Sequence, residues 1–230
     1  MKKIGLIGGT GPESTLIYYR EINRLVNEKT GGTSFPEITI ESLDLCKALK
    51  YCQHEEYDLL ADYVLNSLNN LAKCGADFGA LTAGTMHIIF DKIKDKSPIP
   101  LMGIPDAVCN CAIKSNYKKL GLLGTEFTMG KDFFKNVFLE KGIEIFVPCA
   151  DDFEIVNNKI VNELELGIVK DETRGIFVSI INNMKQQYGI EAVILGCTEL
   201  PLLLNHQSCP IPCLDILEIH TRYLAEMIVK

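Results

Sequence analysis

Ala192-Val193-Ile194-Leu195-Gly196-Cys197-Thr198-Glu199-Leu200-Pro201 is the stretch on which the reading of this chain turns. Four consecutive apolar residues describe a short strand with both faces buried, and Gly196 marks its end. Cys197 then opens a turn leading towards a helix. The same layout occurs once before: Gly79-Ala80-Leu81 runs into Thr82-Ala83-Gly84-Thr85-Met86-His87, and the position matching the thiol is Ala83.

Working outward, the repeat extends over the chain. Leu120-Gly121-Leu122-Leu123-Gly124-Thr125 echoes Ile4-Gly5-Leu6-Ile7-Gly8-Gly9. Gly189–Ile194 echoes Gly75–Ala80, and Cys209–Leu214 echoes Ser97–Met102, at offsets of 112 to 116 residues. Matched offsets of this kind point to tandem duplication of a strand–helix unit. Pro12, Leu16, Ile17, Ile22 and Leu25 predict a first helix to about Val26. Leu60, Val64, Leu68 and Leu71 predict another over Tyr57–Leu71, and a third runs from Ile88 to Ile93.

The expected fold class is therefore α/β: two pseudo-symmetric lobes, each a parallel sheet flanked by helices. The first lobe covers residues 1–108, joined by a C-terminal helix at 216–230, and the second covers 109–215. Ligands in such sheets bind beyond the carboxyl ends of the strands, so the active site is expected in the cleft between the lobes.

Composition narrows the function. The 230 residues are 47% apolar and 23% charged, as expected of a globular chain, and the net charge of −7 argues against nucleic-acid partners. No apolar run is long enough to span a bilayer, and the apolar stretch after Lys3 is too short for a signal-peptide core. A cytoplasmic protein follows. Nine cysteines, an odd number, suit reduced thiols better than a disulfide scaffold. Cys109/Cys111 and Cys209/Cys213 are close pairs without zinc-type spacing, so no metal is expected.

The strand-end turns carry the candidate chemistry. Cys197 is read as a reactive thiol stabilised by turn amides, or as a buried structural cysteine. Thr198 adds a hydroxyl for a carboxylate. Thr85 is a ligand-binding hydroxyl or a helix cap. His87 either orients a ligand or satisfies a helix's first turn, and His220 is a supporting residue or an ordinary helix-surface histidine. Gly8-Gly9-Thr10-Gly11 and Gly124-Thr125-Glu126-Phe127-Thr128 form a second matched pair of turns, suited to a carboxylate. Gln53 and His54 lie in a polar stretch before a helix. A dinucleotide site is disfavoured, because the loop at Gly9 lacks the third glycine of that fingerprint and is duplicated at Gly124.

Through Ile4–Thr15 with Tyr18-Tyr19-Arg20, Gly75–His87, Leu122–Met129 and Gly196–Glu199, the chain resembles the aspartate/glutamate racemase family over nearly its whole length. The resemblance implies two α/β lobes, a homodimer, no cofactor, and transfer of the α-proton of an acidic amino acid between two residues. It assigns Cys197 as one of them. The other is a cysteine or threonine followed by Asn-Thr, and here that slot holds Ala83-Gly84-Thr85. Alanine cannot carry a proton. Thr82 is adjacent, but would need a one-residue shift in the turn to face a ligand.

The catalytic positions under consideration are thus Cys197, Thr82 and Ala83. Those for substrate are Thr10, Gln53, Gly84, Thr85, Thr125, Thr128 and Thr198. The expected activity is racemase-like, on aspartate or glutamate. The alternatives are a one-cysteine isomerase or decarboxylase of a small carboxylic acid, and a non-catalytic binder of a dicarboxylate or amino acid. The Ala83-Gly84 departure also leaves very slow racemisation or an engineered variant open.

Overall fold

The computed structural model describes residues 1–205 and 207–230. The chain divides into two compact units, Met1–Ala107 with His220–Lys230, and Val108–Ile219. Each contains a four-stranded parallel sheet flanked by helices.

In the first unit the elements are β1 (Ile4–Gly8), α1 (Pro12–Lys29), β2 (Ile38–Ser42), α2 (Leu45–Gln53), α3 (Tyr57–Lys73), β3 (Phe78–Leu81), a 3-10 turn at Thr85–Ile89, α4 (Phe90–Ile93), β4 (Leu101–Met102) and the start of α5 (Ile104–Lys114). The sheet order is β2-β1-β3-β4. β1 and β3 pair in parallel from Ile4↔Phe78 to Ile7↔Leu81, and both are buried throughout. That is what continuous apolar strands require of a sheet covered on both faces.

The second unit continues with β5 (Lys119–Leu123), α6 (Glu126–Gly130), α7 (Lys135–Leu139), β6 (Glu144–Phe146), α8 (Ala150–Asn162), a 3-10 turn at Leu164–Leu166, α9 (Asp171–Tyr188), β7 (Ala192–Leu195), α10 (Leu200–Leu203), β8 (Cys213–Asp215) and the start of α11 (Ile216–Val229). Its sheet order, β6-β5-β7-β8, is the same topology one unit on. Among the described residues no helix is long and apolar enough to cross a membrane.

Several local features differ from expectation. α1 continues to Lys29, and its buried stripe begins with Ser14, Thr15 and Tyr18 before reaching Ile22, Leu25 and Val26. Leu16 is 63% exposed, so the first turn packs small polar side chains inward instead of leucine. The reason is the sharp entry from β1. Gly9 adopts φ +81°, where any Cβ would collide with the Leu43 backbone, and the Thr15 hydroxyl accepts from its N–H at 3.1 Å and donates to Gly11 O at 2.9 Å.

α2 was not anticipated. Asp44 caps it by accepting from the Lys47 N–H, and Ala48 and Cys52 form its buried edge. Gln53 is consequently the last residue of a helix and exposed. The helix expected over Ile88–Ile93 is instead a 3-10 turn from Thr85 followed by the single turn α4.

Two buried histidines stabilise the end of β4. His87 Nδ1 donates to Ala83 O and Gly84 O at 3.1 and 3.2 Å, and its Nε2 accepts from the Ile104 N–H at 2.9 Å. His220, fully buried and not on a helix surface, donates from Nε2 to Met102 O at 3.1 Å. Its Nδ1 accepts from the Tyr18 hydroxyl at 2.7 Å. Both rings are therefore neutral.

Burial pushes His87 down from 6.5 to about 4. Burial, and secondarily repulsion from a charged His87, brings His220 to about 3. Unfolded histidines titrate near 6.5, so this contribution to stability is complete above that pH. It is lost as pH falls towards the folded values. Each histidine then steepens the pH dependence of unfolding by up to about 1.4 kcal/mol per pH unit. Urea midpoints taken between about pH 7 and about pH 5, above most carboxylate titration, should fall accordingly, and His87→Gln should flatten the slope.

Candidate active site

In the second lobe β7 ends at Leu195, and the Gly196 N–H donates to Leu123 O at 2.7 Å, carrying the ladder one residue past the strand. A Cβ at Gly196 would lie 2.8 Å from that carbonyl and 3.0 Å from Leu122 Cδ1, so the position admits only glycine without displacement. Cys197 follows and is half-buried.

The Cys197 thiol donates to Glu199 Oε2 at 2.8 Å, and the Thr198 hydroxyl donates to Glu199 Oε1 at 2.8 Å. Glu199 thus accepts from both neighbours, one on each carboxylate oxygen. α10 follows immediately, and its end is held by Arg174 Nε donating to Leu203 O at 2.9 Å.

This environment reverses the expected state of the sulfur. Turn amides were expected to favour a thiolate. Burial instead pushes the Cys197 thiol well above its ordinary value, with the Glu199 charge and hydrogen bond adding to the effect. At neutral pH Cys197 is a thiol, and Glu199 is the acceptor aimed at its proton. Nor is α10, one turn long, a helix dipole of any consequence.

A second carboxyl belongs to this cluster. Burial and then the Glu199 charge raise Glu165, which sits on the 3-10 turn Leu164–Leu166. That turn is anchored by its neighbour Glu163, which accepts from Lys159 at 2.7 Å, Lys170 at 3.1 Å and the Thr173 hydroxyl. Those partners, Lys159 foremost, hold the Glu163 carboxyl well below the usual range. Glu199 lies two residues after the thiol, in the same motif, and its part in the site follows from the fold alone. Glu165 is 32 residues upstream of the thiol, and no local sequence signal points to it.

The first lobe repeats the backbone and changes the side chains. The Thr82 N–H donates to Ile7 O at 3.1 Å, the counterpart of Gly196 to Leu123. Thr82 therefore corresponds to Gly196, and Ala83 to Cys197. The first lobe thus carries a threonine side chain where the second lobe, crowded by Leu123 O, Leu122 and Thr128, admits only glycine. Thr82 is fully buried, with its hydroxyl donating to Ile7 O at 3.1 Å and lying 3.2 Å from Thr15 Oγ1. The one-residue shift that would turn Thr82 towards a ligand is absent, and this hydroxyl is spent inside the lobe.

The remaining positions fall into three groups. Ala83 packs into the first lobe's apolar core, and Gly84 and Thr85 are half-buried at the start of the 3-10 turn. Thr128 is buried, with its methyl group placed against Gly124 and Gly196, so it fills space beneath the Cys197 turn. Thr125 sits at the N-cap of α6 with no side-chain capping bond. Thr10 is 9% exposed, and its hydroxyl has no hydrogen-bond partner among the described residues. A buried orphan hydroxyl costs about 1–3 kcal/mol unless a ligand or water completes it. The described residues contain no cluster of three metal-binding side chains.

Comparison with known proteins identifies the family and the fold. The family described as Asp/Glu/hydantoin racemase matches residues 7–224. The broad specificity amino-acid racemase RacX of Bacillus subtilis (strain 168) is 24% identical over 216 residues, 92% of each chain. An aspartate racemase homologue from Pyrococcus horikoshii OT3 superposes with a TM-score of 0.91 at 36% identity, over 100% of both chains. The aspartate racemase of Picrophilus torridus shares the fold, with a TM-score of 0.74 at 20% identity, over 99% of this chain and 95% of its own.

If Glu199 sets the state of the thiol, Glu199→Gln should bring the Cys197 titration down towards an ordinary thiol, burial still holding part of the elevation. Iodoacetamide labelling of Cys197 against pH would read this. A shift of one pKa unit makes labelling about tenfold faster on the ascending limb. An unchanged profile would mean that burial alone raises the thiol.

Proposed function

We propose that this chain, which belongs to the Asp/Glu/hydantoin racemase family, transfers the α-proton of an acidic amino acid through Cys197 without a cofactor. Membership of the family makes it an isomerase. The assignment of substrate and of Cys197 is our own reading. The observation that carries it is the thiol bonded to Glu199 at the end of β7, with Glu165 close enough to feel the same charge.

The chemistry follows from that charge pattern. Two carboxyls beside a protonated thiol make a site to which a positive charge is complementary. An α-ammonium group supplies it, and its field favours the thiolate over the thiol. The Cys197 proton then passes to Glu199, and the sulfur takes the Cα proton. Reversal returns a proton to the same face. Proton transfer by a positioned group of this kind contributes about 10²–10⁴-fold.

Thr198 and Thr125 are the second lobe's groups for substrate oxygens. Thr10, whose hydroxyl is free for a ligand, is the first lobe's best candidate, followed by Thr85 and the backbone at Gly84. Gln53 is retained only as an exposed group at the end of α2. The working form is taken as a cytoplasmic homodimer.

Full racemisation also needs a group acting on the opposite face of Cα, and Ala83 stands where the repeat would supply it. Catalysis is therefore one-sided. The same observation favours a one-cysteine isomerase or decarboxylase of a small carboxylic acid as the second reading.

Incubation of each enantiomer of aspartate and glutamate in D₂O, followed by NMR and chiral chromatography, separates these readings. One-sided chemistry predicts Cα exchange with retention of configuration, reduced about 10²–10⁴-fold by Cys197→Ala. Binding of an acidic amino acid without any exchange would leave a binder, and decarboxylated product would favour the second reading.

A complementary variant tests the departure. Gly84 has φ −58° and ψ −45°, which any L-residue adopts, so the backbone of the turn admits Gly84→Asn, here paired with Ala83→Thr. Exchange in this double variant should proceed with inversion, and net racemisation should rise by at least about tenfold. Unchanged racemisation would show that the missing group does not limit the rate.

A further inference from the structure

Cys209-Pro210-Ile211-Pro212-Cys213 has no part in the chemistry above, yet it is the segment in which two thiols meet. Its ends are fixed. The Cys209 N–H donates to Asn205 O at 2.9 Å, and the Asn205 side chain accepts from the Gln207 and Ser208 N–H groups at 2.9 and 3.0 Å. At the other end Val193 N donates to Pro212 O at 2.9 Å, and Cys213 begins β8, in register with Val193. Two prolines stiffen the intervening backbone.

Within this clamp the two sulfurs have different surroundings. Cys213 is buried, Cys209 is half-exposed, and the Cys213 thiol donates a hydrogen bond to the Cys209 sulfur. The Ile211 N–H donates to the same sulfur. Two donors on one sulfur stabilise its thiolate, and Cys209 is lowered to about 7, the Cys213 bond being the largest cause.

We infer that Cys209 and Cys213 form a reversible oxidation site, with Cys209 as the attacking sulfur and Cys213 as the resolving thiol, responsive to hydroperoxides. The Cys209 thiolate attacks the O–O bond. A sulfur–oxygen bond forms, the oxygen–oxygen bond breaks, and the departing oxygen takes a proton from water, leaving a sulfenic acid. The Cys213 sulfur then attacks Cys209. The disulfide forms as the sulfur–oxygen bond breaks, and the Cys213 proton leaves with the hydroxide as water. The two thiols supply both electrons, and the hydroperoxide becomes an alcohol, or water when hydrogen peroxide is the oxidant. A half-exposed, partly ionised thiol beside a resolving thiol is the arrangement this chemistry needs.

The test uses the intact protein. It is exposed to hydrogen peroxide near neutral pH, remaining thiols are blocked with N-ethylmaleimide, and the chain is cleaved after Glu199 and Glu218. That fragment contains only these two cysteines. The expected product is a fragment about 2 Da lighter, unlabelled, and restored by dithiothreitol. Cys209 should be consumed faster than the exposed Cys46, Cys74 and Cys149, none of which has a second thiol bonded to its sulfur among the described residues.

In Cys213→Ala, Cys209 should stop at the sulfenic acid and be trapped by dimedone. Should that variant fail to fold, the order of N-ethylmaleimide labelling in the unoxidised wild-type protein gives the same ranking. Oxidation confined to other cysteines, or Cys209 labelling no faster than those three, would overturn the inference.

Discussion

A strand buried on both faces has no place for a working polar side chain except beyond its carboxyl end. β1, β3, β5 and β7 are under this constraint almost throughout, and it localises the chemistry of each lobe. Burial of such a strand contributes through its apolar area, at roughly 25 cal/mol per Å², and any charge placed mid-strand would cost several kcal/mol. The groups that matter accordingly crowd into the few residues after Gly8, Leu81, Leu123 and Leu195. Duplication then creates matched positions, and each lobe is free to arm or disarm its own.

Comparison of the two turns shows how little separates those states. In both, the residue after the strand donates its N–H to the carbonyl at the end or penultimate position of the neighbouring strand. In the second lobe that residue is Gly196, which leaves room for the Thr128 methyl and passes the chain on to Cys197. In the first it is Thr82, whose hydroxyl donates to Ile7 O. The hydroxyl there completes the lobe's interior, and the next position carries only a methyl group that joins the apolar core. A threonine one residue earlier is thus no substitute for a proton carrier one residue later. The pleat and the ladder bond fix which way each side chain points.

The parts of this arrangement that rest on contiguous residues were legible in the sequence. The repeat, the strand ends and the thiol at 197 all follow from short apolar runs that stop at glycine. Long-range packing was not legible. Leu16 fits a helical stripe on paper, but the entry angle at Gly9 rotates Ser14 and Thr15 inward in its place. His220 looked like a surface residue because nothing near it in sequence announces Tyr18 or Met102, which complete its hydrogen bonds. α2 was hidden by its length and its polar composition, although Asp44 is a recognisable cap. Glu165 reaches the Cys197 neighbourhood only through a short 3-10 turn fixed by the ion pairs of Glu163, a dependence that no local pattern encodes.

Two of the nine cysteines illustrate how hydrogen-bond direction governs a thiol more finely than exposure does. Cys197 and Cys209 are both half-buried, the first just past the end of a strand and the second after an ordered turn. Cys197 is buried beside an acceptor: the Glu199 carboxylate takes its proton's hydrogen bond and opposes a second negative charge, which together with burial outweighs the Glu199 N–H, so the sulfur stays protonated. Cys209 faces donors, the Cys213 thiol and the Ile211 N–H, which are satisfied only by a lone pair on sulfur and so favour the anion. Burial raises both groups, yet their final positions diverge because a carboxylate adds to burial at Cys197 while only donors oppose it at Cys209. The thiol held as an acid suits proton transfer to carbon once a cation relieves Glu199, and the one held as an anion suits attack on an electrophile. A carboxylate two residues downstream in one turn, and a second thiol four residues downstream in the other, are enough to give the same element opposite chemistry.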